Sequence, residues 1–205
     1  LDNVPFPMAF FRWKLERDGH ETVYAVSFTA TWTPQTGLKP LDIVRTLDKK
    51  GNIPPDMVRI PGWEEANQET PDFFIDRYEV TNRRFKEFVS AGAYEKKECW
   101  KHEFVKEGKT LTWEEALAEF RDATGRPGPS AWQTGDYPDG QDDYPVTGVS
   151  WYEAAAYAEF AGKSLPSVHH WQLASGINVG FNRIIFPSLL IPLSNLGGNR
   201  PERVG

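Results

Sequence analysis

Cysteine is almost absent: Cys99 is the only one in 205 residues. An internal disulfide and a Cys-based zinc cluster are therefore excluded. Histidine is scarce too. His20, His102, His169 and His170 include no pair at i, i+4, which excludes a metalloprotease helix of the HExxH kind. Long apolar runs are missing. The longest candidate, Ile184 to Leu193, is broken by Pro187, Ser188 and Pro192, and a bilayer span needs roughly 20 apolar residues. No block of Lys and Arg exceeds two residues and the net charge is −6, so nucleic-acid binding by phosphate neutralisation is not expected. The chain begins Leu-Asp-Asn-Val-Pro, without Met or a basic region leading into an apolar core. It reads as an excised piece of a longer protein, without a visible signal peptide, and leaves the localisation of the parent open.

What the chain has in quantity is rings and turns. Its 8 Trp, 7 Tyr and 13 Phe accompany 17 Gly and 16 Pro, a composition for short elements around large buried side chains. Long helical bundles do not fit. The expectation is an irregular α+β domain.

Residues 20–32 alternate best, and with Phe10 to Leu15 before them and Arg17-Asp18-Gly19 as the turn they predict a β-hairpin. Thr33 to Pro40 reads as loop and Leu41 to Leu47 as a further strand. Lys49 to Pro55 punctuates the chain, which places a boundary between a β-rich module over 1–56 and a second unit over 57–205. Short strands are predicted at Met57 to Ile60 and at Phe73 to Val80. Four capped helices follow. Thr81 opens the first, with Phe85, Phe88 and Val89 as its inner stripe, and Gly92 stops it. Thr112 with Glu115, and Ser150 with Glu153, form capping boxes for the second and third, the second running toward Gly125 and the third to Gly162. Ser167 caps the fourth. The acidic stretch Asp136 to Asp143 lacks the spacing of an EF-hand and reads as a solvated connection.

Three segments in this order resemble one family. Asp76-Arg77-Tyr78-Glu79-Val80-Thr81-Asn82-Arg83-Arg84-Phe85, Asp143-Tyr144-Pro145-Val146-Thr147-Gly148-Val149-Ser150-Trp151-Tyr152-Glu153-Ala154 and Ala161-Gly162-Lys163-Ser164-Leu165-Pro166-Ser167 followed by Trp171 are similar to segments of formylglycine-generating-enzyme-like, or sulfatase-modifying-factor, domains. Met57 to Gly62 adds the opening strand. The resemblance covers residues 57–205. It implies a complex C-type-lectin-like α+β fold, present here without its C-terminal half. In these segments Thr81 and Ser150 satisfy helix N–H groups, and Trp151 and Trp171 are expected to bury large area. The motifs read as fold determinants rather than catalytic groups. Arg12-Trp13-Lys14-Leu15 and the turn after it resemble a small β-sandwich of the PEGA type, which accompanies such domains in bacterial membrane-tethered serine/threonine kinases. That context is compatible with an extracytoplasmic position in a tethered parent and leaves the localisation open. Kinase motifs themselves are missing: no Gly-rich loop, HRD or DFG occurs.

The resemblance further implies oxidation of a sulfatase cysteine to formylglycine by copper held on two thiolates. Cys99 lies between the first and second helices and matches neither of them, so no catalytic residue is assigned in this chain. Pro192 to Gly198 is similar to a calcium-binding segment, which makes Asn195 and the Leu196 carbonyl candidate ligands. His170 stands where the family has a capping Glu, so a capping-box acceptor is expected to be lost; adjacent His169 and His170 point about 100° apart and chelate poorly. Trp100, Trp113 and Trp132 are the candidates for a ligand or partner surface. The apolar segment Ile184 to Ile191 is expected to pack on the β module or to mediate self-association. Three readings follow: a non-catalytic binding or sensory module, a regulatory domain of a protein kinase, and part of a formylglycine-generating oxidase.

Overall fold

The computed structural model describes residue 7 and residues 9–28, 30–33, 37–40, 44–65, 68–175, 195 and 198–205. In chain order the strands of the first half are β1 (Phe10–Leu15), β2 (Val23–Phe28), β3 (Ala30–Thr33), β4 (Gly37–Pro40), β5 (Met57–Ile60), β6 (Trp63–Glu65), β7 (Gln68–Thr70) and β8 (Phe73–Asp76). There follow α1 (Asn82–Ser90), β9 (Val105–Lys106), β10 (Lys109–Thr110), α2 (Trp113–Glu119), α3 (Trp151–Phe160) and α4 (Val168–Ser175). The result is a mixed α/β chain whose sheets are all two-stranded among the described residues. It divides into two compact units, one holding residues 1–77 and 166–194, the other residues 78–165 and 195–205.

In the first unit, β1 and β2 pair antiparallel from Phe10 with Phe28 to Leu15 with Val23. This is the hairpin that the alternation predicts. The long second strand expected over 20–32 ends at Phe28, because Ala30 starts a new pairing with Pro40. The loop expected over Thr33 to Pro40 therefore contains β4. Residues 44–47 of the strand expected at Leu41 to Leu47 form none, while 41–43 lie outside the described residues. The β1–β2 turn is tied down by Glu21 N–H donating to the Asp48 carbonyl at 2.8 Å and Lys50 N–H to the Gly19 carbonyl at 3.0 Å. Asp48 in turn receives Arg59 through two bonds of 2.6 Å, and that guanidinium lies over the Phe74 ring at 4.5 Å. A planar fork held by a carboxylate and stacked on a ring is a geometry that Lys does not reproduce.

Helix α4 carries a correction. His170 does not cost the helix its cap acceptor: the Ser167 N–H donates to His170 Nδ1 at 3.2 Å, and the His170 N–H donates back to Ser167 Oγ at 3.3 Å. The imidazole nitrogen takes the place of a carboxylate oxygen, and the ring meets Phe73 edge-on at 4.5 Å. Trp171 is 61% exposed rather than buried, as is Trp151 in the second unit at 56%.

The second unit is built on aromatic packing. Phe85 and Phe88 of α1 are 1% and 0% exposed, and around them close Tyr94, Trp100, Phe104, Phe120 and Trp132. Trp100 stacks on Phe120 at 5.3 Å with planes 9° apart, and other pairs meet edge-on, as ring quadrupoles favour. Helices α2 and α3 both start with complete capping boxes, Thr112 with Glu115 and Ser150 with Glu153. Helix α2 stops at Glu119, well before Gly125, because Phe120 turns into the core and Asp122 organises the next loop.

Two of the resembling segments touch each other through their backbones. Val146 N–H donates to the Val80 carbonyl at 2.9 Å, and Asn82 N–H to the Tyr144 carbonyl at 2.8 Å. The Asn82 side chain, 4% exposed, completes the join: its Nδ2 donates to the Gln141 carbonyl and its Oδ1 accepts the Trp132 indole N–H at 3.1 Å. The acidic stretch is fastened rather than free. Asp136 pairs with Lys86, and Asp143 pairs with both Arg83 at 2.8 Å and Arg203 at 2.6 Å.

Candidate functional site

A cleft of about 440 Å³ opens within the second unit. Its position follows from three local sequence features. The first is the β9–β10 hairpin, turned by Glu107 and Gly108, both at positive φ (50° and 77°). Such a two-residue turn needs left-handed backbone at both positions. This hairpin is absent from the sequence expectations, although a Gly after a polar residue between short extended pairs is its signal. The second is the N-terminus of α3. Tyr152 there receives the Val105 N–H on its hydroxyl at 2.8 Å and donates to the Val105 carbonyl at 3.3 Å, closing the outer edge of β9. The third is the crossing at Gly148, whose carbonyl accepts from Ser130 N–H at 2.7 Å and Ser130 Oγ at 3.0 Å. A Cβ at Gly148 would lie 2.5 Å from the Ala131 nitrogen, and φ there is +74°, so only glycine fits.

The floor is apolar. Phe104, Ala116 and Phe120, at 8%, 1% and 8% exposure, are joined by Leu111, Val149 and the Tyr152 ring. Charged groups line the cleft at two levels. Lys106 and Glu119 form an exposed pair at 2.7 Å. Glu153 is 3% exposed and accepts the Tyr94 hydroxyl at 2.6 Å and the Ser150 N–H at 2.7 Å. Burial foremost, then the Glu153 charge and hydrogen bond, pushes the Tyr94 hydroxyl far above the ordinary phenol range, so it stays a donor. Arg121 is exposed at the edge, and among the described residues its guanidinium has no hydrogen bond or ion pair.

The loop that carries Arg121 is shaped by its neighbour. Asp122, 5% exposed, accepts from the N–H groups of Thr124, Arg126 and Gly135 and from the Thr124 hydroxyl at 2.6–3.0 Å. Burial alone would raise this carboxyl; the hydrogen bonds outweigh it and bring it down to about 2.

The structure brings Trp100, Trp113 and Trp132 to one aromatic core: Trp100 and Trp132 are 9% and 1% exposed, and Trp113 is half-buried at the margin. None lines the cleft, but Trp100 and Trp113 pack on Phe104, which does. Asn195 donates through Nδ2 to the Arg200 carbonyl at 2.8 Å. Leu196 lies outside the described residues, as does Ile184 to Ile191. Among the described residues no group of three His, Cys, Asp or Glu side chains is placed to hold a metal ion. Cys99 packs beside the aromatic core as a free thiol. A copper site made of two thiolates does not fit a chain with one sulfhydryl. No helix among the described residues is long and apolar enough to cross a membrane.

Comparison with known proteins agrees with the segments that meet at Asn82. A formylglycine-generating enzyme of Thermomonospora curvata is 34% identical over 113 residues, covering 50% of this chain and 37% of that protein. A hercynine oxygenase of Mycolicibacterium smegmatis is 31% identical over 155 residues, covering 67% of this chain and 32% of that protein. A serine/threonine-protein kinase of Chlamydia trachomatis is 28% identical over 109 residues, 53% of this chain and 15% of the kinase. The chain thus spans 37% or less of the length of these relatives. No solved structure matches it. The family model of the sulfatase-modifying factor enzyme 1-like domain matches residues 49–187, from the turn that holds Asp48's neighbour Lys49 past α4, and on that match the chain belongs to this family.

Proposed function

We propose that this chain is a ligand-binding portion of a sulfatase-modifying-factor-type domain, acting through the cleft between α2, the β9–β10 hairpin and the start of α3. The supporting observation is the cleft itself: an apolar floor of buried rings under a mouth of a few charged groups is the usual make-up of a small-molecule site. The role is non-catalytic in this reading, because oxygen chemistry needs a metal or cofactor and this chain supplies one thiol. A second reading makes the chain part of an oxygenase or formylglycine-generating enzyme whose redox ligands lie elsewhere in the parent; the names of two relatives favour it. A third, a regulatory piece of a protein kinase, rests on the name of another. The cleft serves recognition in all three.

The test is a titration with the neutral apolar fluorophore N-phenyl-1-naphthylamine. Wild type should show saturable enhancement from one site. Val105→Trp places a ring across the mouth at an exposed strand position and leaves the backbone bonds to Tyr152 in place; it should weaken binding at least fivefold. Equal binding by both proteins would place the dye elsewhere and overturn the cleft as the site.

A further inference from the structure

Resting on that reading, we propose that the cleft selects a small carboxylate with an apolar body, its carboxylate on Arg121 and its body over the Phe104 and Phe120 rings. The charges lining the cleft decide this. Lys106 is spent on Glu119 at 2.7 Å. Glu153 is buried and satisfied by Tyr94 and by Ser150 N–H. Arg121 is left as the uncompensated charge at the opening, a cation on a chain whose net charge is −6.

The same charges set the orientation. Among the lining residues Glu153 is buried at 3% exposure, where its carboxylate repels an anion, whereas Arg121 is exposed to solvent. An anionic group therefore stays outside and an apolar body goes in. The start of α3 offers no competing anion site, since Ser150 Oγ and the Glu153 carboxylate already occupy its capping positions. A phosphate ester would bring nearly two negative charges to one guanidinium beside the Glu119 carboxylate. A monoanion matches Arg121, the one cation without an ion pair among the described lining residues, and the planar guanidinium matches a carboxylate through two parallel N–H bonds.

The probes are 3-phenylpropionate and its neutral isostere 3-phenylpropionamide, titrated into the full 205-residue chain with binding followed by two-dimensional amide NMR. Wild type should prefer the carboxylate about tenfold, the worth of one charge-assisted hydrogen bond. Arg121→Gln, an exposed change, should bring the two affinities to parity chiefly by weakening the carboxylate, and Arg121→Lys should keep part of the preference. Equal wild-type affinities, or a preference that survives Arg121→Gln, would overturn the carboxylate assignment and leave the cleft intact as a site for neutral ligands. Absence of saturable shifts from either compound would overturn both the assignment and the cleft as a binding site.

Discussion

Tyr94 donates its hydroxyl to Glu153 at 2.6 Å, in a core where the two are 4% and 3% exposed. The bond ties the short 3₁₀ turn after α1 to the first turn of α3. The same carboxylate caps Ser150, so one side chain both starts a helix and anchors it across the core.

Removing the phenol alone should therefore be costly. Tyr94→Phe keeps the ring in the cluster and leaves one Glu153 oxygen buried without its donor, a loss of about 2–3 kcal/mol. The measurement is the urea midpoint at constant m-value. In the double variant with Glu153→Ala the two losses should fall well short of adding, because both remove the same bond. Full additivity would mean that the pair is not coupled.

Asp122 gives stability a pH dependence of definite sign. Its carboxyl falls from an ordinary 3.8 to about 2 in the folded chain, so the unfolded chain binds its proton first as acid is added. The stabilisation is complete above about pH 4, declines as pH drops toward 2, and amounts to about 2 kcal/mol. Asp122→Asn should remove most of this acid dependence, seen as a flatter curve of unfolding free energy between pH 5 and 2. A curve parallel to wild type would contradict it.

Much of this architecture is legible in the residues. Thr81, Thr112, Ser150 and Ser167 announce the four α-helices found among the described residues, because a cap is a local device whose acceptor and donor are three residues apart. The Phe85 and Phe88 stripe and the existence of the β1–β2 hairpin follow from periodicity in the same way, while its register does not. The segments now seen to pair, at Val80 and Val146, are also those that carry the family resemblance. What stays hidden is non-local. No spacing rule tells that Asn82 bonds the Trp132 indole across 50 residues, that Asp122 folds its loop, or that Tyr152 seals β9. The imidazole of His170 serving as a cap acceptor is a substitution of chemistry rather than of pattern, and the capping-box rule does not include it. The exposure of Trp151 likewise depends on where its neighbours end, with His102 as its ring partner at 4.7 Å.

Gly148 ties the fold to the cleft. Gly148→Ala places a methyl group against the Ala131 backbone nitrogen in a left-handed conformation, and the Ser130 bonds must shift. Destabilisation of about 1–3 kcal/mol is expected, together with weaker binding of N-phenyl-1-naphthylamine in the fraction that stays folded. Thermal denaturation and the dye titration measure the two effects. Wild-type behaviour in both would show that the Gly148 crossing does not shape the site.

The most direct test of the proposed role is chemical. The 205-residue chain is incubated with copper, oxygen and a peptide carrying a sulfatase-type cysteine motif, and the peptide is weighed by mass spectrometry against a copper-only control. A binding portion with a single thiol leaves the peptide cysteine unconverted. Conversion to formylglycine above the control would show that the chain assembles an oxygen-activating centre from its own residues, and would contradict the non-catalytic reading.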